Sequence, residues 1–174
     1  MSGPRFPEGW SCEVLDKSHP RTKLQSGNGE VDDWLKKSAL QSQKKHLTTS
    51  IVLLDENGNI AGYYSLAFSQ IDFTDLPAEI AKKLPRRQLP VSVLAWLGVD
   101  RSCQGRGIGG RLLATALLDC YEASQTFAFI AVILDCVDEQ AKRFYGQFDF
   151  EQLPGYPMRL YLPFKSLEAL AKGY

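Results

Sequence analysis

The sequence predicts a mixed α/β protein of the α+β class, in which helices flank a sheet, and two observations support this. Segments typical of strands come first as a hairpin, and further along the chain they alternate with helical segments. Apolar residues make up 44% and charged residues 23%, which is the composition of a globular protein. A chain of 174 residues can bury one sizeable core. We therefore expect residues 1–174 to form a single domain.

The first half of the chain predicts a strand, a helix, a hairpin and a short helix. Apolar residues from Val31 to Ala39 share one helical face. Asn57-Gly58 separates two apolar segments, and both of its residues tolerate positive φ, which indicates a hairpin turn. Pro77 then begins a short helix. The expected strands are residues 10–15, 49–54 and 60–68, and the expected helices start near residue 31 and cover residues 77–84.

The second half predicts alternating strands and helices. Residues 91–99 are apolar and rich in valine, which indicates a buried strand. Apolar residues from Leu112 to Tyr121 recur at helical spacing, and Asp138 suits the N-cap of a further helix. The expected strands are residues 91–99, 127–134, 150–152 and 158–162, and the expected helices are residues 112–121, 138–147 and 165–172.

Composition excludes several classes of protein. Basic and acidic residues number 20 each, so the net charge is zero and does not by itself recruit nucleic acid. No run approaches 18 apolar residues and the N-terminus has no apolar core, so we expect no membrane span, no signal peptide and a cytoplasmic protein. Four separated cysteines and two histidines predict reduced thiols and no metal site.

A glycine-rich segment, Gln104-Gly105-Arg106-Gly107-Ile108-Gly109-Gly110, lies between a predicted strand and a predicted helix. The unpaired N–H groups and the dipole of a helix N-terminus attract anions, and glycine lets the backbone approach phosphate oxygens closely. Arg106 and Arg111 supply further positive charge. The segment therefore predicts a phosphate-binding loop.

A Rossmann-type dinucleotide site is the alternative for this loop. Gly105, Gly107 and Gly110 fit G-x-G-x-x-G, and Asp135 ends the next strand, where a ribose-binding acid would lie. However, five residues separate the strand from the first glycine, and the loop lies too late in the chain for a doubly wound sheet. This alternative is therefore remote. A Walker loop is excluded because no Gly-Lys-Ser/Thr follows.

The segment resembles the cofactor motif of the GNAT superfamily of N-acetyltransferases, Gln/Arg-x-x-Gly-x-Gly/Ala, with Gln104, Gly107 and Gly109. Residues 138–145 are similar to the second family signature, Asn-x-x-Ala-x-x-Phe-Tyr, and Phe148-Asp149-Phe150 is similar to the usual Phe-Gly-Phe. The resemblance implies a central twisted mixed sheet and acetyl-CoA as cofactor. The cofactor-binding residues it implies are Leu97, Gly98, Val99, Gln104, Gly105, Arg106, Gly107, Ile108, Gly109, Gly110 and Asp138.

Tyr145 is the catalytic residue that the resemblance implies, as the general acid that protonates the departing thiolate. Its phenol, with an ordinary pKa of about 10, is protonated at pH 7. The residues alone equally allow a core tyrosine, and Asp138 fits a helix cap better than a cofactor contact. No general base emerges. An α-amine with a pKa of about 8 is roughly a tenth neutral at pH 7. It therefore depends on a general base less than a lysine amine does.

The N-terminal half is similar to the acetyltransferase toxins of bacterial toxin–antitoxin modules, at Ser26-Gly27, residues 31–37 and residues 60–66. This resemblance implies that the acceptor is the α-amino group of aminoacyl-tRNA, so that translation is blocked, and that a ribbon-helix-helix antitoxin is the partner. The candidate tRNA contacts are Lys36, Lys37, Lys44, Lys45, Arg86 and Arg87.

Other functions stay open at this point. A solvated helix face explains the lysines equally well, and Trp96 stands where many relatives carry arginine. The zero net charge favours a stand-alone acetyltransferase for a small amine or a peptide N-terminus. A non-catalytic acyl-CoA-binding module is a remote alternative. The oligomeric state is undetermined, and a homodimer is compatible with the sequence.

Overall fold

The computed structural model describes residues 3–174, which divide into two compact units. One unit comprises residues 3–67, 94–118 and 174, and the other comprises Phe68–Val93 and Asp119–Gly173. The described strands are β1 (Ser11–Val14), β2 (Thr49–Leu54), β3 (Ile60–Asp72), β4 (Gln88–Val99), β5 (Ala131–Asp135), β6 (Glu151–Leu153) and β7 (Tyr156–Pro163). The described α-helices are α1 (Gly29–Asp33), α2 (Ala39–Lys44), α3 (Ala78–Ala81), α4 (Ile108–Ser124), α5 (Glu139–Gly146) and α6 (Phe164–Lys172).

The strands form a mixed sheet with the order β1-β2-β3-β4-β5-β7-β6. Pairing is antiparallel in β1–β2, β2–β3, β5–β7 and β6–β7, whereas β4 and β5 are parallel. This confirms the predicted mixed α/β class. Within the described residues, no helix is long and apolar enough to cross a membrane, and the cysteines form no disulfide bond.

The β2–β3 hairpin predicted at Asn57-Gly58 is confirmed, whereas the start of one predicted strand is wrong. The strand expected from residue 127 begins at Ala131, because Phe127 instead donates its N–H to Ala123 in the turn that closes α4. In the β2–β3 hairpin, Gly58 has a φ of +79° but Asn57 does not have positive φ. The turn there is closed by the bond from the Gly58 N–H to the Asp55 carbonyl, so it needs only one left-handed residue.

The first unit has its core under the helical segment that follows the turn at residues 26–29. Between α1 and α2, Trp34–Ser38 forms a π-helical segment, so the predicted single helix is interrupted. Val31, Leu35 and Ala39 are buried. Trp34 stacks on Trp96, with ring centroids 5.4 Å apart.

Buried hydroxyls join this helical segment to the hairpin of the first unit. The Trp34 Nε1–H donates to Ser65 Oγ over 2.9 Å, and Ser65 Oγ lies 2.6 Å from Ser50 Oγ. Ser50 and Ser65 are both fully buried, so this chain of hydrogen bonds satisfies polar groups that would otherwise destabilise the core.

The second unit has an apolar core of its own, which includes Leu89 and Val91 of β4, Ala131 of β5, Leu153 of β6 and Tyr161 of β7. Its β4 and β5 pair at Ser92↔Val132 and Val93↔Ile133. Strand β5 pairs along its whole length with residues 159–163 of β7. The parallel β4–β5 pair is therefore buried, as expected for strands of this composition.

Two glycines of the first unit occupy positions where no side chain fits. A Cβ at Gly62 would lie 2.8 Å from the Gly98 carbonyl oxygen and 2.9 Å from Leu112 Cδ2. A Cβ at Gly98 would lie 2.5 Å from Val31 Cγ1. Strands β3 and β4 and helices α1 and α4 approach one another closely here.

Gly62→Ala should lower the free energy of unfolding by about 1–3 kcal/mol, because the added methyl would contact backbone that cannot move freely. Gly29→Ala is the matched control: a Cβ there meets no atom within 4 Å, so stability should be unchanged or rise by up to about 1 kcal/mol. Urea denaturation followed by circular dichroism measures both variants. Equal stabilities would contradict the close approach.

Candidate active site

The glycine-rich segment connects β4 to α4, as predicted. A 3-10 turn (Arg101–Cys103) follows β4, and α4 begins at Ile108. Ile108, Gly109 and Gly110 therefore lie in the first turn of the helix rather than in the loop. Residues 104–107 form the exposed part of the segment.

Two glycines of the exposed part have left-handed backbone conformations. Gly105 has a φ of +77° and Gly107 a φ of +76°, and a Cβ at either position would meet no atom within 4 Å. Glycine is therefore required here by the backbone conformation and not by lack of space. Arg106 lies between these two residues and is exposed.

The N-terminus of α4 offers unpaired amides to an anion. The first helical hydrogen bond runs from the Arg111 N–H to the Gly107 carbonyl, over 3.2 Å. The N–H groups of Ile108, Gly109 and Gly110 find no acceptor among residues 3–174. Since α4 has 17 residues, its dipole adds partial positive charge at the same place. The geometry suits a phosphate.

Asp100 holds the start of the segment. Its Oδ1 accepts the Gln25 N–H over 2.9 Å, and its Oδ2 accepts from the Ser102 N–H and hydroxyl over 3.1 and 2.5 Å. Partial burial acts to raise the pKa of Asp100, but the hydrogen bonds from Ser102 and Gln25 outweigh it and lower the pKa below its ordinary value. Asp100 is thus a structural carboxylate.

Gln104 holds the other end of the turn. Its Nε2 donates to the Ser26 carbonyl over 2.6 Å and to the Val99 carbonyl over 2.9 Å. The side chain of Gln104, one of the predicted cofactor-binding residues, thus fastens the loop to the turn before α1.

The β4 residues of the predicted cofactor site are Leu97, Gly98 and Val99. Leu97 is half-buried, and the other two are buried. Gly98 has a packing role, since Val31 occupies the space that a side chain would need. Gly98 has no side chain, so it could face a ligand only through its backbone.

Tyr145 lies on α5 in the second unit, and the residue is 7% exposed. Phe144 and Phe150 pack against the ring, with centroids at 5.2 and 5.8 Å. Burial, with a smaller contribution from Cys136, raises the pKa of Tyr145 above its ordinary value, so the phenol stays protonated. The Tyr145 hydroxyl has no hydrogen-bond partner within residues 3–174. Every fully buried side-chain nitrogen or oxygen in that range does have a partner, so this hydroxyl oxygen is not fully buried. The oxygen therefore reaches the protein surface.

The segments on either side of Tyr145 explain two departures from the family signature. Asp138 caps α5, because its Oδ1 accepts the Ala141 N–H over 2.7 Å, and this carboxylate therefore already has a structural role. Asp149, in the position where glycine is usual, has a φ of +68°. Aspartate is one of the few residues that tolerate this conformation.

Three of the predicted RNA-binding lysines share one concave surface in the first unit. A cavity of about 420 Å³ is lined by Arg21, Lys37, Leu40, Gln41, Lys44 and Lys45. Lys36 is exposed but does not line it. Lys37 Nζ pairs with Asp33 over 3.4 Å. No sequence pattern pointed to Arg21, which lies in a separate 3-10 turn, Arg21–Lys23.

Arg86 and Arg87 belong to the second unit, and both are exposed. The Arg86 guanidinium lies 5.7 Å over the Phe73 ring. In the described part of the chain, no group of three or more His, Cys, Asp or Glu side chains could hold a metal ion.

Comparison with known proteins shows which enzymes build a site of this kind. Residues 48–152 match the family model of the acetyltransferase (GNAT) domain. The chain belongs to the GNAT acetyltransferase family. The matched range contains the glycine-rich segment, α5 and Tyr145, and it overturns the alternative of a Rossmann-type dinucleotide-binding protein.

Individual GNAT relatives cover nearly the whole chain. A tRNA-acetylating toxin of Mycobacterium tuberculosis is 34% identical over 149 residues, which are 86% of this chain and 89% of the relative. The structure of AtaT complexed with acetyl-methionyl-tRNAfMet is 26% identical with a TM-score of 0.85, covering 92% of this chain and 98% of that one.

Two further AtaT structures show the same GNAT fold. AtaTR bound with AcCoA is 26% identical, with a TM-score of 0.83 and coverage of 93% and 98%. A mutant of AtaT bound to the C-terminus of the antitoxin AtaR is 22% identical, with a TM-score of 0.81 and coverage of 94% and 98%, which shows likeness of fold alone.

Asp100→Asn should destabilise the protein in a pH-dependent way. The folded pKa lies below the unfolded value of about 3.9, so the carboxylate stabilises the fold above that pH and loses this effect as pH falls through the folded pKa. We expect the free energy of unfolding to fall by about 1 kcal/mol at pH 7, and the difference from the unmodified protein to become smaller below about pH 4.

Urea denaturation of this variant at several pH values measures the effect. Ser102→Ala, which removes one donor to the same carboxylate, should show a smaller loss with the same pH dependence. A loss that is constant from pH 7 to pH 3 would contradict the structural role of the Asp100 charge.

Proposed function

We propose that this GNAT acetyltransferase transfers the acetyl group of acetyl-CoA to the α-amino group of aminoacyl-tRNA and thereby acts as a toxin that blocks translation. The observation that supports this best is the identity with the tRNA-acetylating toxin across most of both chains. We further propose that residues 1–174 act as one N-acetyltransferase domain, since the family match includes residues of both units.

The loop and the first turn of α4 would hold the acetyl donor. The free amides of Ile108, Gly109 and Gly110 suit the pyrophosphate of CoA, and the left-handed Gly105 and Gly107 keep side chains away from it. The residues of the family motif would thus have two roles: Gln104 fixes the loop, and the glycines and backbone amides contact the ligand. Acetyl-CoA supplies the activated acetyl thioester.

Tyr145 would donate its phenolic proton to the thiolate sulfur as it departs. Two features support this role: the ring is fixed between aromatic side chains, and the hydroxyl has no competing acceptor within the described chain. Burial raises the pKa of Tyr145, so the phenol is protonated when the thiolate forms. A positioned general acid of this kind typically contributes 10²–10⁴-fold to a rate.

The cavity lined by Arg21 and three lysines would bind tRNA phosphates. No acidic residue lines it, and Lys44, Lys45 and Arg21 have no carboxylate partner in the part of the chain that the structure describes. Uncompensated cations in a concave surface raise the local concentration of a polyanion. Lys36, Arg86 and Arg87, as exposed cations, would add weaker contacts.

The proposed toxin requires a partner that controls it. We propose a ribbon-helix-helix antitoxin for this role, as the resemblance to toxin–antitoxin modules implies. Because its substrate would be charged tRNA, the protein would work in the cytoplasm. A homodimer is compatible with this activity.

Tyr145→Phe should lower kcat by about a hundredfold or more and leave the affinity for acetyl-CoA nearly unchanged, because it removes only the proton donor. Steady-state kinetics and calorimetry with CoA measure the two effects. Gln140→Ala, a change at an exposed residue of the same helix that leaves the packing around Tyr145 intact, is the control and should retain most of kcat. Full activity of Tyr145→Phe would make Tyr145 a core residue only.

The substrate is tested with radiolabelled acetyl-CoA and either charged or deacylated total tRNA. Label should enter charged tRNA only and should leave with the amino acid in mild alkali, which hydrolyses the ester. Good turnover on a small amine or a peptide N-terminus, without transfer to charged tRNA, would support the stand-alone acetyltransferase instead.

Charge reversal in the cavity tests its role in the same assay. Lys44→Glu/Lys45→Glu should raise the KM for charged tRNA at least tenfold, reduce its salt dependence and leave CoA affinity unchanged. Lys82→Glu/Lys83→Glu is the matched control, since it reverses an exposed lysine pair of the second unit. Equal effects of the two pairs would show that net charge alone matters.

A further inference from the structure

The N-terminal segment of the first unit reaches the glycine-rich loop through one aromatic residue. The Trp10 N–H donates to the Pro7 carbonyl over 3.1 Å and closes a turn whose third residue, Gly9, has a φ of +84°. A Cβ at Gly9 would lie 3.2 Å from the Cβ of Glu56. Glycine is thus needed at this position both for the turn and for close packing against the β2–β3 hairpin.

Trp10 is fixed from one side and stacked from the other. Its Nε1–H donates to Glu56 Oε2 over 2.5 Å, and the Arg106 guanidinium carbon lies 5.6 Å from the centre of its ring. This is the geometry of a cation–π contact. The contact joins residues 96 positions apart, and both belong to the first unit.

Stacking leaves the hydrogen-bonding edge of Arg106 available. A guanidinium contacts an aromatic ring through its flat face, whereas its N–H groups point outward in its own plane. No carboxylate within residues 3–174 forms an ion pair with Arg106. Arg106 is therefore held in place with its donors unused.

We propose that Trp10 is a positioning residue for the acetyl donor, which holds Arg106 so that its N–H edge meets a phosphate of the nucleotide part of CoA. This inference rests on the proposed function, because it requires that the loop bind CoA. Ordering an exposed arginine beforehand removes the loss of side-chain freedom that binding would otherwise cost. Glu56 supports Trp10 in this role.

Calorimetry with CoA and 3′-dephospho-CoA tests this proposal, together with kinetics on acetyl-CoA and acetyl-pantetheine, which lacks the nucleotide. Trp10→Ala should weaken CoA binding by about threefold to tenfold and raise the KM for acetyl-CoA without changing kcat. The kcat/KM for acetyl-pantetheine should be unchanged. Trp10→Phe, which keeps an aromatic face, should recover most of the affinity. In an Arg106→Ala background, Trp10→Ala should have no further effect.

The dephospho-CoA arm identifies the phosphate. If Trp10→Ala weakens the binding of CoA and of dephospho-CoA equally, Arg106 contacts the pyrophosphate. If it weakens the binding of CoA only, Arg106 contacts the 3′-phosphate. Tyr156→Ala is the matched control, because it removes the ring under Arg159 in the second unit and should leave CoA binding unchanged.

Two outcomes would overturn the proposal: unchanged CoA affinity in Trp10→Ala, or an equal loss of kcat/KM with acetyl-pantetheine. Trp10→Phe and the Arg106→Ala background keep the test valid if Trp10→Ala folds poorly. A wild-type protein that binds no CoA at all would instead contradict the proposed function.

Discussion

The close approach of strands and helices around Gly62 and Gly98 is the constraint on which the rest of the first unit depends. Any side chain at either glycine would collide with the backbone or with Val31. Because β4 is fixed there, its end at Val99 is fixed as well, and Val99 provides one of the two carbonyls that hold Gln104. The position of the phosphate-binding loop thus follows from a packing requirement one residue before the strand ends. Such a junction tolerates little change in volume, since protein interiors are close-packed.

The polar side chains in and before the loop form hydrogen bonds mainly within the protein. Asp100 and Gln104 use their side chains to bind residues 25–26, which come just before α1. This arrangement leaves the backbone amides of α4 for the ligand. An anion site made of amides needs no rearrangement when the ligand arrives, because the helix already orients the donors. The motif is therefore recognisable in sequence because it specifies a backbone shape as well as a set of contacts.

The elements of the fold could be predicted from the sequence because local periodicity and turn residues determine them, as the apolar run of β4 and the Asp138 cap show. The parts of the site that depend on contacts between residues distant in sequence could not be predicted. Trp10 and Arg106 are 96 positions apart, and Arg21 lies more than ten residues before Lys37 in the chain, so no local pattern connects them. The π-helical segment Trp34–Ser38 also had no local signal, since its residues suit an ordinary helix. Asp149 is an intermediate case, because its left-handed conformation could be inferred only from the glycine that is usual there.

The zero net charge argued against RNA as a substrate, and the structure shows why that argument is weak. Exposed charges interact over a Debye length of about 8 Å at physiological ionic strength, so a polyanion responds to the local arrangement and not to the total. Arg21, Lys44 and Lys45 share one cavity without carboxylates in its lining, while Asp33 partly compensates Lys37. Some of the 20 acidic residues have roles elsewhere in the fold: Asp100 and Asp138 accept from backbone N–H groups, and Asp135 pairs with Arg159. A net charge of zero is therefore compatible with a local site for phosphates, because Arg21, Lys44 and Lys45 lie together and have no carboxylate partner within residues 3–174.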